Sequence, residues 1–197
     1  MNIWFTSDYH FNHFNIIRYT NRPFKTLDEM NSTLIKNHNE RVKPEDTVYF
    51  LGDFIFKNSL GGKVGEGLPD KAEDWVKKLN GNIVFIAGNH DKNNSLKTHI
   101  SKLYLRYGGM TICCIHNPLY ADSNCELNLV GHVHEKWKIR PLGKKSIMVN
   151  VGVDVWSFKP ICFGEIQRAI SEWKKSNATN QNQQVGEIIR SESTEER

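Results

Sequence analysis

An α/β fold with a β-rich second half is what the order of apolar segments in this chain predicts. In the first half, short β-branched or aromatic runs alternate with helix-patterned stretches; in the second half, such runs follow one another with turn chemistry between them. The runs are continuously apolar, which suits sheets covered on both faces. With 197 residues, 39% of them hydrophobic, the chain can bury one substantial core, and a single domain over residues 1–175 is expected.

Ile3 to Ser7 predicts the first strand, closed by Asp8. Thr26-Leu27-Asp28-Glu29 has capping-box spacing and opens a helix that runs to Arg41, with Pro44 enforcing the stop. Thr47 to Leu51 predicts the second strand. Asp70 to Leu79 reads as a helix stopped by Gly81, and Ile83 to Ala87 as the third strand. Met110 to Ile115, Leu127 to Val130 and Ser146 to Val151 continue the strand pattern, and Gly164 to Lys175 predicts a last helix packing through Ile166, Ile170 and Trp173. Between Ser59 and Gly67, four glycines predict a loop rather than an element. It lacks the Gly-Lys-Ser/Thr ending of a nucleotide-binding loop, and its position shortly after Asp53 suits a flap over the site.

The net charge of +4 divides unevenly, with −2 on residues 176–197 and +6 on the rest. A mildly basic body suits an anionic substrate, but no Lys/Arg run interleaved with aromatics marks a nucleic-acid groove. The tail, residues 176–197, has no aromatic residue and is rich in Asn, Gln, Ser and Glu, so disorder is expected there. No apolar stretch approaches the roughly 20 residues that cross a bilayer. The N-terminus has no basic leader region, and Cys113, Cys114, Cys125 and Cys162 lack metal or disulfide-framework spacing. A soluble protein of the reducing cytoplasm is expected.

Five short segments at predicted strand ends carry oxygen and imidazole groups: Asp8-Tyr9-His10, Gly52-Asp53, Gly88-Asn89-His90-Asp91, His116, and Gly131-His132-Val133-His134. Residues two apart leaving a strand can point the same way, so Asp8 with His10, and His132 with His134, can each reach one cation. An Asn at the carboxyl end of an apolar strand sits where α/β sheets place their sites. Each segment alone is equally an ordinary turn. Beyond them, His13 and Arg22 are candidate contacts for a substrate phosphate, Arg22 through a bidentate pair. His38 and His99 fall in helical pattern without evident partners and read as structural or solvated; Asp154 and Trp156 read as rim residues, with packing an equal role for Trp156.

In this order the five segments resemble the motif ladder of the calcineurin-like metallophosphoesterases, over roughly Met1 to Val155. The resemblance implies a four-layer sandwich of two mixed β-sheets flanked by helices. It also implies two divalent metal ions, the first held by Asp8, His10, Asp53 and His134, the second by Asp53, Asn89, His116 and His132, with Asp53 shared. Manganese is the ion the resemblance favours; Fe²⁺, Ni²⁺, Co²⁺ and Zn²⁺ also suit mixed nitrogen and oxygen donors. Two dications about 3.5–4 Å apart repel by roughly 20 kcal/mol at an effective dielectric of about 20, so shared anions are required. Such ions lower the pKa of bound water from about 15.7 toward about 7, which makes a bridging hydroxide the expected nucleophile. His90 is the candidate leaving-group acid, with Asp91 orienting its ring. Phe11 and Phe54-Ile55-Phe56 depart from the protein serine/threonine phosphatase pattern, and Phe56 replaces a histidine of the large nuclease branch. The Thr-Ser-Asp-x-His-Phe-x-His start is closest to small, single-domain bacterial and phage-type phosphoesterases. The expected activity is hydrolysis of a phosphate ester, leaning to a diester of nucleotide type; a phosphomonoesterase on a small metabolite and a catalytically silent scaffold are the alternatives.

Overall fold

The computed structural model describes residues 1–56, 70–93 and 96–178. Two compact units emerge, Met1–Phe163 and Gly164–Arg197. Two mixed sheets with flanking helices make up the first unit, the α/β class expected. One sheet has β1 (Ile3–Thr6), β2 (Thr47–Phe50) and β3 (Asn82–Phe85) in parallel, with β9 (Ile161–Cys162) antiparallel beside β1. In the other, β5 (Met110–Ile115), β6 (Leu127–Val130) and β8 (Ser146–Asn150) run parallel, edged by β4 (Lys102–Tyr107) and β7 (Ile139–Leu142).

The two edge strands are hairpin partners that the apolar pattern does not reveal. Four of the six residues of β4 are charged or tyrosine, and it pairs with β5 because Gly108 and Gly109, at φ 58° and 78°, form the left-handed two-residue turn that hairpin twist demands. β7 joins β8 through a three-residue turn, residues 143–145, that opens on Gly143 at φ 66°. Neither sequence alternates cleanly, since packing rather than pattern stabilises an edge.

Helix α1 (Phe14–Tyr19) is too short to have left a period in the sequence. Helix α2 spans Leu27–Asn39. Thr26 caps it by accepting from Glu29 N at 3.1 Å, while Glu29 accepts from Lys25 N at 2.7 Å, so the box closes one residue outside its usual place. Met30, Leu34 and His38 form its buried stripe. Helix α3 covers only Ala72–Val76, shorter than the Asp70–Leu79 expected, and His99 lies in irregular chain rather than a helix. In the second unit, residues 164–178 are helical, three residues beyond the expected end at Lys175. The glycine-rich stretch at 59–67 and the tail beyond residue 178 lie outside the described residues. Among the described residues no helix is long and apolar enough to cross a membrane.

A large core cluster sits under the loops that follow β1 and β2. Tyr9, Phe11, Phe50 and Phe54 are fully buried with Met30 and Leu34. Tyr9 packs edge-on against Phe11 and Phe50 at ring-centroid distances of 5.3 and 4.8 Å, and Phe11 stacks on Trp75 at 4.7 Å. Asp8, Tyr9, His10 and Phe11 therefore alternate between a polar cluster and this aromatic floor.

Candidate metal centre

Every parallel strand ends in a segment that carries a polar group to one place. Asp8 and His10 follow β1, Asp53 follows β2, Asn89 to Asp91 follow β3, His116 follows β5, His132 and His134 follow β6, and Asp154 follows β8. Parallel strands in register deliver their carboxyl ends together, which is why α/β sheets bind ligands at that edge. Asp8, His10, Asp53, His132 and His134 all adopt left-handed backbone, with φ of 60°, 52°, 55°, 71° and 47°. Asp and His tolerate that region better than bulkier residues, and such turns concentrate at functional sites.

The side chains converge. Asp8 accepts from His132 N at 3.1 and 3.0 Å through its two oxygens. His10 Nε2 lies 3.9 Å from Asp8 Oδ1 and 3.5 Å from Asp53 Oδ2. Asp53 uses Oδ1 to accept from His90 N at 2.9 Å and turns Oδ2 toward His116 Nε2 at 3.3 Å. Asn89 Oδ1 is 3.0 Å from His116 Nε2 and 2.9 Å from His132 Nδ1. Donor atoms of Asp8, His10 and His134 form one group, each within 4.8 Å of the others, and those of Asp53, His116 and His132 form a second. A third group, His10, Asp53 and His90, shares one member with each.

Two observations on this set fit a divalent cation. His10 Nε2 is buried with no hydrogen-bond partner, an arrangement that costs about 1–3 kcal/mol if nothing occupies its lone pair. Burial, reinforced by His134 and Arg22, holds its pKa well below the ordinary value, so the ring is neutral and able to ligate. His116 supplies the other observation. Its Nδ1 is 2.7 Å from Leu51 O, and a carbonyl only accepts, so the proton of the neutral ring is on Nδ1. Nε2 then faces two oxygens, Asp53 Oδ2 and Asn89 Oδ1, as a third acceptor. Only a proton or a cation reconciles the three. With a proton there, the His116 pKa rises to about 9: burial opposes the charge, but the bond to Asp53 and the charge of Asp8 outweigh it. Asp53 is correspondingly lowered; burial would raise it, and the hydrogen bond and charge of His116 prevail.

Glycines permit the close approach. A Cβ on Gly131 would overlap Ser7 Oγ and lie 2.6 Å from Asp8 Oδ2, and one on Gly88 would overlap Asp53 Oδ1. The Gly residues that precede Asn89 and His132 therefore leave room for the opposing carboxylate.

Several expectations about supporting residues change. Arg22 is buried and does not face the cluster opening. Its Nε and Nη2 donate to Asp154 at 2.8 and 3.0 Å, while Nη2 and Nη1 donate to the carbonyls of Asp8 and Tyr9 at 2.7 and 3.0 Å. A guanidinium so occupied organises the loop and replaces the phosphate contact expected. Asp91 accepts from the backbone of Asp53, Phe54 and Gly88 at 2.8, 3.1 and 2.8 Å, tying two ligand loops together. His38, read as lacking partners, bonds Tyr9 Oη through Nδ1 at 2.8 Å and Asn80 O through Nε2 at 2.9 Å. His13 stacks on Phe56 at 4.0 Å, and its ring lies 5.4 Å from that of His10. Asp154, read only as a rim residue, is 3.0 Å from His134 Nδ1, which directs His134 Nε2 at the cluster. No local spacing signals that role, because Asp154 is 20 residues from its histidine.

Comparison with known proteins agrees with this geometry. The family model of the calcineurin-like phosphoesterases matches residues 1–151. The chain belongs to that family, and it is a metal-dependent hydrolase of phosphate esters. It is similar to protein MJ1445 of Methanocaldococcus jannaschii, 39% identical over 90% of this chain and 96% of the relative. The Gene 66 protein of Mycobacterium phage L5 is 28% identical over 79% of this chain and 87% of its own. Among solved structures, the Aquifex aeolicus protein AQ665 superposes with a TM-score of 0.63 at 26% identity, over 85% of this chain and 98% of that one.

Proposed function

We propose that this protein is a phosphodiesterase acting on a nucleotide-like ester with two divalent ions, Mn²⁺ the favoured metal, that share Asp53. The observation that carries the reading is Asp53 Oδ2, which faces His10 at 3.5 Å and His116 at 3.3 Å, one imidazole from each donor group. Asp8, His10, Asp53 and His134 would hold one ion, and Asp53, Asn89, His116 and His132 the other. Ions there would polarise a phosphoryl oxygen and lower the pKa of the attacking water. The chain's own residues supply the rest. His90, whose ring lies 5.1 Å from that of His10, donates a proton to the leaving oxygen. His13, stacked on Phe56, presents an imidazole to the substrate phosphate. Asp91 and Arg22 act through the loops they fix.

The test is a comparison of esters. The Mn²⁺-loaded protein should hydrolyse bis-p-nitrophenyl phosphate with a higher kcat/KM than p-nitrophenyl phosphate. The reverse order would replace the diesterase reading with a monoesterase acting on a small metabolite, and no turnover of either would leave a silent scaffold. His90→Ala should keep its metal and lose about 10²- to 10⁴-fold on alkyl esters, with far smaller loss on nitrophenyl esters. Equal losses on both would remove His90 from the acid role.

A further inference from the structure

Two cavities flank the edge of the cluster formed by Asn89, His116 and His132, and they differ in chemistry. The first, about 500 Å³, has Asn89 and His116 in its wall together with Ile115, Lys102 and Tyr120. The second, about 390 Å³, has His132 in its wall together with Lys136, Trp137 and Arg140. Asn117 lines both, so the two meet beside the donor groups. Each is in the size range of small-ligand sites. A phosphate monoester has one substituent to place; a diester has two.

The walls say which substituent each would take. In the first cavity Lys102 is the one lysine or arginine among the described lining residues, its Nζ 6.0 Å from the Tyr104 ring centroid, and Tyr104 Oη donates to the Asp122 carboxylate at 2.9 Å. What remains is Tyr120, 65% exposed, and apolar surface, a place for a neutral planar group. In the second cavity Lys136 and Arg140 stand without an acidic side chain in the lining, and the Arg140 guanidinium lies 5.3 Å from the Trp137 ring centroid. A cationic pair beside an aromatic face suits a further phosphate with a base next to it.

Resting on the diesterase reading, we infer that the substrate is a short single-stranded oligonucleotide, its scissile phosphate at the donor groups, a nucleoside in the Tyr120 cavity and the next phosphate against Lys136 and Arg140. A dinucleoside monophosphate fills the first cavity and leaves the cationic one without its anion; a trinucleotide fills both.

The experiment compares TpT, pTpTpT and bis-p-nitrophenyl phosphate on the Mn²⁺-loaded protein and on the Lys136→Ala/Arg140→Ala variant. The wild type should prefer pTpTpT over TpT by at least tenfold in kcat/KM, and the variant should bring that preference below threefold. Binding of fluorescein-labelled trithymidylate in EDTA gives a second readout. Its Kd should rise about tenfold in the variant, and the salt dependence should weaken by about 0.7 in log–log slope for each cation removed. Tripolyphosphate that displaces the labelled trinucleotide as well as unlabelled trithymidylate does would reduce the cavity to a bare anion site and overturn the oligonucleotide assignment. So would equal use of TpT and pTpTpT, or a variant indistinguishable from wild type. If bis-p-nitrophenyl phosphate is cleaved while these differences are missing, the cavity assignment alone fails; if no diester is cleaved, the diesterase reading fails with it.

Discussion

His38 shows how a single residue couples the floor of the site to solution conditions. It is buried between the Tyr9 hydroxyl and the Asn80 carbonyl, and burial lowers its pKa to about 4, the hydrogen bond to Asn80 only partly opposing the shift. The unfolded chain, with an ordinary value near 6.5, takes up a proton that the folded ring refuses. His38 thus contributes stability that is fully present above about pH 6.5 and is lost as pH falls toward about 4, on the order of 3 kcal/mol in all. Denaturant titrations in EDTA at pH 7.0 and 4.5 should show a drop that is shallower in His38→Gln. An identical pH dependence in the variant would mean that the ring is not held neutral. Since Tyr9 lies between Asp8 and His10, loosening this bond also loosens two proposed ligands.

At the scale of elements, the organising feature is the turn that closes each parallel strand. Each must present its polar group before the chain leaves the edge, and after β1, β2 and β6 left-handed Asp and His residues do so. Gly131 is different: its φ is not left-handed, and its constraint is space, with Ser7 Oγ and Asp8 Oδ2 where a methyl would go. Ser7 Oγ cannot yield easily, since it donates to Leu51 O at 2.8 Å. Gly131→Ala should therefore cost about 1–3 kcal/mol through overpacking and displace Asp8, lowering metal uptake measured by elemental analysis. Full stability with full metal content would show that the β1 and β6 loops are not so closely apposed. Helix α2 has the complementary role of backing these turns, its Met30 and Leu34 filling the floor beneath Tyr9 and Phe11.

Across the first unit, the Arg22–Asp154 pair acts as a strap. Asp154 follows β8, Arg22 follows α1, and through them the carbonyls of Asp8 and Tyr9 and the ring of His134 are linked across 132 residues of sequence. Burial would raise the Asp154 pKa, but His134 and Arg22 hold it below the ordinary value. Removing the carboxylate leaves a buried guanidinium unpaired, at about 3–5 kcal/mol, and frees His134 to turn. Mn²⁺ should raise the Tm of the wild type, because a ligand bound only by the folded state stabilises it. Asp154→Ala should start from a lower Tm and need about 10- to 100-fold more Mn²⁺ for the same increase. An unchanged Mn²⁺ requirement would separate the strap from the metal centre.

The parallel strands and the segments that end them were legible because both are local: β5 and β6 fall on the residues expected, and the ligand candidates each adjoin an apolar run. Thr26 and Glu29 marked α2 for the same reason. The edge strands β4 and β7 were not legible, since their stability comes from pairing across a turn rather than from their own pattern. Nor were the tasks of Arg22, Asp91 and Asp154, whose partners lie 132, 38 and 20 residues away. Amino-acid order by itself determined which groups could coordinate a cation, because ligand chemistry belongs to the residue. Tertiary structure alone decided which polar groups remained available for it, because Arg22 spends its donors on Asp154 and the carbonyls of Asp8 and Tyr9, while Asp8 and Asp53 accept from backbone and still face the imidazoles.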